Sequence, residues 1–162
     1  MIGPFRKPDR TSRLGEAFAI ATVAALLAGC GEEAEQVSGE ELVSRGDDLC
    51  REGQESFSQI QEHSPANAKE AQSQTEELVE VATDELNALR NLRPPDELRE
   101  AYDRYLEARG SALESLEAGR DAAEDQDTEA YAEAQAEITA DQPQRLKLAQ
   151  AVGFQVCSAE AG

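Results

Sequence analysis

An all-α fold is what this 162-residue chain predicts, and three observations carry the prediction. Small and aliphatic residues recur at alternating steps of three and four over long stretches, the spacing of one helix face. Aromatic residues make up only 4% of the chain and Trp is absent, so any core must be built from Leu, Val, Ile and Ala and will be thin. Proline- and glycine-containing breaks divide the stripes into segments of helical length. Four such segments with short links predict an antiparallel up-down four-helix bundle.

The first helix is expected over 46–62. Asp47 and Asp48 suit a helix N-terminus, and Cys50, Gly53, Phe57 and Ile60 share a face. Gly53 weakens the helix but admits a close neighbour. His63-Ser64-Pro65 then breaks the run, with Ser64 as a cap and Pro65 in the first helical position. The second helix, over 65–91, carries the stripe Ala68, Ala71, Thr75, Leu78, Ala82, Leu86 and Leu89. Leu92-Arg93-Pro94-Pro95 is the sharpest turn signal, because a residue before proline avoids the helical region.

The third helix, over 95–124, steps through Leu98, Tyr102, Tyr105, Arg109, Ala112, Leu116, Gly119 and Ala123. Asp127 is expected to cap the fourth. That helix, over 128–152, turns Tyr131, Ala134, Ile138, Leu146, Ala149 and Val152 inward, and Pro143 is expected to kink it or restart it behind Asp141. Gly153 suits its end, with Phe154 and Val156 folding back toward the core. The short first helix leaves a three-helix core with a packed N-terminal arm as the alternative.

The N-terminus is of another kind. Arg6, Lys7, Arg10 and Arg13 precede an apolar run from Ala17 to Ala28, and Leu27-Ala28-Gly29-Cys30 follows the pattern of a lipobox. This run is too short to span a membrane, which takes roughly 20 residues, and reads as a signal h-region. The arrangement resembles bacterial lipoprotein precursors. The resemblance implies cleavage between Gly29 and Cys30, removal of residues 1–29, and a diacylglycerol thioether on Cys30. It implies anchorage at the extracytoplasmic face of the cell membrane. No Arg-Arg pair points to the twin-arginine route. Residues 30–45, acidic and glycine-containing, read as the lipidated cysteine and a flexible tether. Residues 46–162 form the helical domain.

With Cys30 lipidated, Cys50 and Cys157 remain as a pair in an oxidising compartment, which reads as a disulfide. Two free thiols or intermolecular pairing are the alternatives. In an up-down bundle the start of the first helix lies beside the end of the fourth, so this disulfide and that topology predict each other. The downstream part resembles small helical lipoproteins of high-GC Gram-positive bacteria. That resemblance rests on the early Cys50, the Leu92-to-Pro95 turn, Asp127 before Tyr131, and the Gly153-to-Cys157 segment. It brings no activity with it.

Thirty-four Asp and Glu against 15 Lys and Arg give a net charge of −19. Such a surface repels nucleic acid and anionic lipid headgroups, so no nucleic-acid partner is expected, and the membrane is reached through the lipid. Known chemistries find few residues. One His follows the leader, His63, and the only Met is Met1, so His/Met haem ligation and a zinc site are not expected, nor are the Glu-x-x-His pairs of di-iron bundles. No Gly-x-Ser-x-Gly and no glycine-rich phosphate loop occurs. Asp121, Glu124, Asp125, Asp127 and Glu129 form an acidic turn. It has Ala130 and Ala136 where a calcium loop needs Gly and Glu, so weak cation binding is the most it suggests.

Arg109 on the stripe with Tyr102 and Tyr105 invites an ion pair, with Glu77 or Asp84 the expected partners, or a ligand contact. The tyrosines are expected to pack their rings and let their hydroxyls reach water. The chain is therefore expected to be no enzyme and to need no cofactor. Its expected role is structural or one of interaction with an envelope protein partner. Solute or cation binding in a cavity of the bundle, with Tyr102, Tyr105 and Arg109 as contacts, is the alternative.

Overall fold

Ser38 sets where the first helix begins. In the computed structural model, which describes residues 36–159, its hydroxyl accepts from the Glu41 N–H at 3.1 Å, and α1 runs Gly39–Ile60. Ser-x-x-Glu is a capping signature. The helix thus starts seven residues earlier than the glycine- and aspartate-rich stretch predicts, and 39–45 belong to it rather than to a tether. The expected lipidation and cleavage positions, Gly29 and Cys30, and the expected signal segment over 1–29 lie outside the described residues.

Asn67 displaces the expected cap at Ser64. Its side chain accepts from Glu70 N–H at 3.1 Å, while the Glu70 carboxylate takes the Ala66 N–H at 2.9 Å and the Asn67 amide at 2.8 Å. These reciprocal bonds satisfy more orphan donors than a lone serine does, and α2 accordingly runs Ala68–Arg90. α3 spans Asp96–Glu124, and α4 spans Thr128–Val152 behind Asp127, which accepts from Glu129 and Ala130 N–H at 3.1 and 3.0 Å. α4 continues through Pro143 without a restart. It ends at Gly153, whose φ of 103° lies in the left-handed region that glycine adopts without a Cβ penalty.

The described residues are helical throughout apart from links and termini, and each helix packs on the next: α1 on α2, α2 on α3, α3 on α4. None of these helices is long and apolar enough to cross a membrane. The apolar stripes form two clusters. One gathers Leu42, Leu89, Tyr102, Tyr105, Ala149, Val152 and Phe154, with Val37. Its three rings meet edge-on or tilted at centroid distances of 5.3–6.4 Å, the geometry aromatic pairs favour. The second is built from Leu78, Val79, Ala82 and Leu116, flanked by the half-buried Phe57, Ile60, Leu113 and Ile138.

The segment after α4 ties the aromatic end together. Cys157 forms a disulfide with Cys50 of α1, their Cα atoms 5.2 Å apart. Asp47 is not at a helix start. It is buried in the second half-turn before Cys50, where its carboxylate accepts N–H groups from Gln155, Val156 and Cys157 at 2.8–3.2 Å. Successive backbone N–H groups converging on one anion form a nest. Phe154 fills the notch at Gly46, where a Cβ would lie 2.3 Å from its ring. Val37 and Gln36 close the other side, bonding to Arg93 and Pro94 carbonyls at 3.0 and 3.1 Å.

Candidate functional site

Between the two clusters the bundle is not filled. A cavity of about 450 Å³ lies there, and all four helices and the C-terminal segment contribute to its wall. Its volume falls in the range of small-molecule sites. The opening follows from the packing: α1 and α4 are joined by the 153–159 segment and the disulfide, while beyond that tie Ser58 of α1, Gln61 just past its end and Thr139 of α4 are exposed at the rim.

Glu85 and Arg109 stand in the wall as an ion pair, Oε2 to Nη2 2.6 Å, their side chains 7% and 25% exposed. The expected partners of Arg109, Glu77 and Asp84, are replaced by Glu85 for a positional reason. Glu85 continues the stripe Leu78, Ala82, Leu89 in steps of four, three and four, so it shares the buried face, whereas Glu77 and Asp84 are exposed. Gly53 makes room for it: a Cβ there would sit 2.5 Å from Glu85 Oε2. Burial pushes the Glu85 carboxyl above its ordinary range, and Arg109 works against that shift through its charge and hydrogen bond.

Tyr105 also lines the cavity, its hydroxyl 3.5 Å from Cys50 Sγ. A disulfide sulfur carries no hydrogen, so the hydroxyl is the donor. For the same reason the approach of Cys50 Sγ to Glu85 Oε1, 3.5 Å, is a contact and not a bond donated by sulfur. Burial raises the Tyr105 hydroxyl to about 12; Arg109 opposes the shift, and Glu85 and Asp47 add to it. Tyr102 is placed differently. It lies behind the cavity wall and donates to the Leu89 carbonyl at 2.6 Å, and burial raises its pKa too. Both tyrosines are 1% exposed, so neither hydroxyl reaches water as the sequence suggests. The structure thus brings Tyr105 and Arg109 together at the cavity and leaves Tyr102 in the aromatic core.

Sequence reasoning missed Glu85 and Arg145. Arg145 lies on α4 in the cavity wall, half-buried, and donates to the Ile138 carbonyl at 3.1 Å. Its signal was the step of four to Ala149 on the inner stripe. Desolvation, and then the charge of Arg109, lower its pKa; Asp141 and Tyr105 act the other way. The apolar part of the lining comes from Phe57, Leu78, Leu113, Leu116 and Ile138.

The acidic turn is occupied by its own chemistry. Asp127 caps α4 and Asp121 pairs with Arg120 at 2.7 Å. Among the described residues no group of three or more His, Cys, Asp and Glu is arranged to hold a metal ion. The chain matches no family model, no curated protein and no solved structure.

Proposed function

We propose that this chain is a lipid-anchored, extracytoplasmic binding protein that holds a small molecule within its helical bundle. The observation that carries the reading is the cavity: apolar side chains of all four helices beside the charged Arg109, Arg145 and Glu85, with Tyr105 and uncharged Gln, Ser and Thr side chains at its polar positions, a mixture that suits a small amphipathic ligand. Binding to a protein partner through a tyrosine-bearing surface is the weaker reading, because Tyr102 and Tyr105 are interior.

In this proposal the helices alternate up and down, which places the α4 end beside α1 where the disulfide ties them. The lipobox-like Leu27-Ala28-Gly29-Cys30 supplies the anchor, and a disulfide between Cys50 and Cys157 suits an oxidising compartment outside the cytoplasm. Native mass spectrometry tests the binding. The chain from Gly31 onward, secreted by the original host, should carry a bound mass that is lost in the Ala112→Leu variant, which fills the cavity. Equal bare masses for both would overturn the reading. Anchorage is tested separately: a clickable fatty acid fed to the host should label the full chain and not its Cys30→Ala variant.

A further inference from the structure

The charges in the cavity do not balance. Two guanidinium groups, Arg109 and Arg145, line it against one buried carboxylate, Glu85. Glu85 is committed to Arg109 at 2.6 Å. Among the described residues no carboxylate lies within 4.0 Å of Arg145, although Asp141, one turn earlier and exposed, stands near enough to favour its charge. The hydrogen bond from Arg145 to the Ile138 carbonyl uses one of its five donors. A half-buried guanidinium with donors to spare, facing a cavity in a chain of net charge −19, is a local reversal of the sign that dominates the rest of the surface.

From this imbalance we propose the ligand class: an amphipathic carboxylate, with its single anionic head between Arg145 and Arg109 and its apolar body along Phe57, Leu113, Leu116 and Ile138. This rests on the reading of the cavity as a binding site. A monoanion cancels the excess charge, and guanidinium donors match a carboxylate with paired, charge-assisted hydrogen bonds. Apart from Arg109, Arg145 and Glu85 no lining residue is charged, so nothing there meets a second ionic end. Phe57 and Ile138 are half-buried, so an alkyl or aryl body covers apolar surface that the protein's own side chains leave open. A cation meets repulsion from both arginines, and a neutral chain gains only the apolar part. The cavity volume suits one chain rather than a whole two-chain lipid.

Calorimetric titration of the secreted, oxidised chain from Gly31 onward, which contains all four described helices and the disulfide, tests the class with three probes of equal chain length: octanoate, 1-octanol and octylammonium. Octanoate should bind about tenfold or more tighter than either of the others, the scale expected of one hydrogen bond to a charged group. Arg145→Gln should bring octanoate down to the level of 1-octanol, and Arg145→Lys should recover part of the loss. Asp141→Asn, which removes the competing negative charge, should strengthen octanoate binding and serves as the variant least able to disturb folding. Equal binding of octanoate and 1-octanol, tighter binding of octylammonium, or an unchanged octanoate affinity in Arg145→Gln would each overturn the carboxylate class and leave the cavity a binding site. Failure of all three probes to bind would overturn both the class and the binding reading.

Discussion

The two halves of the bundle use similar lengths of helix to different ends. At the disulfide end, Tyr102, Tyr105 and Phe154 are 2% exposed or less, and every element there is tied to another: Asp47 to the C-terminal segment, Tyr102 to the end of α2, Val37 to the α2–α3 turn. In the other half the core shrinks to Leu78, Val79, Ala82 and Leu116, the flanking Phe57 and Ile138 remain half-buried, and a cavity takes the place of packed side chains. The difference teaches how a chain with few aromatics divides its labour. Its large side chains and its one covalent link in the bundle are concentrated where they hold the helices together, and the remaining half is left with room for something else.

The largest test of that contrast is the disulfide. It closes a sequence separation of 107 residues, and a loop of that length is worth about 4.7 kcal/mol in the chain-entropy account. Replacing both Cys50 and Cys157 by Ala should lower the unfolding free energy read from urea denaturation by a large part of that amount, with the loss falling mainly on hydrogen-exchange protection at the aromatic end. A uniform loss over both halves would erase the distinction drawn between them.

Paired truncations come next. Phe154→Ala should cost about 3–5 kcal/mol, as a fully enclosed aromatic does, while Leu116→Ala, beside existing empty space, should fall toward 2. Equal costs in chemical denaturation would mean that the cavity half is packed as tightly as the other. Additions should show the reverse asymmetry. Gly46→Ala drives a methyl into the Phe154 ring and should cost about 1–3 kcal/mol, whereas Ala112→Leu projects into the cavity and should change stability by less than about 1 kcal/mol.

The smallest effect is electrostatic. Burial raises the Glu85 pKa above its ordinary value of 4.5, so the folded state holds the proton more tightly than the unfolded chain. Glu85 therefore contributes stability that is complete below that ordinary value and is lost as pH rises through the raised one. Difference curves of unfolding free energy against pH, native chain minus Glu85→Gln, should fall across that window. A rising difference would mean that Arg109 outweighs desolvation.

Much of the fold was legible because it depends on local chemistry. The stripe positions Thr75, Leu78, Ala82, Leu86 and Leu89 are buried as their spacing requires, Asp127 caps α4, and Gly153 ends it. The misplaced helix starts were legible too, in Ser38-x-x-Glu41 and Asn67-x-x-Glu70, which compete locally with the glycine and proline signals beside them. The site was half legible. Arg109 and Tyr105 stood out as polar groups on an apolar stripe, but Glu85 and Arg145 looked like the many surface charges of an acidic, charge-rich chain.

By itself, then, the sequence determined four amphipathic helices, their turns, and a cysteine pair at places that a bundle brings together. These follow from side-chain periodicity, capping and the missing N–H of proline, all of which act within a few residues. Only the tertiary structure decided that Asp47 would hold the C-terminal segment, that Gly46 would receive Phe154, that Glu85 rather than Glu77 or Asp84 would meet Arg109, and that a cavity would remain. Those outcomes depend on the rotation and register of one helix against another, and these are set by the collective packing of side chains far apart in the chain.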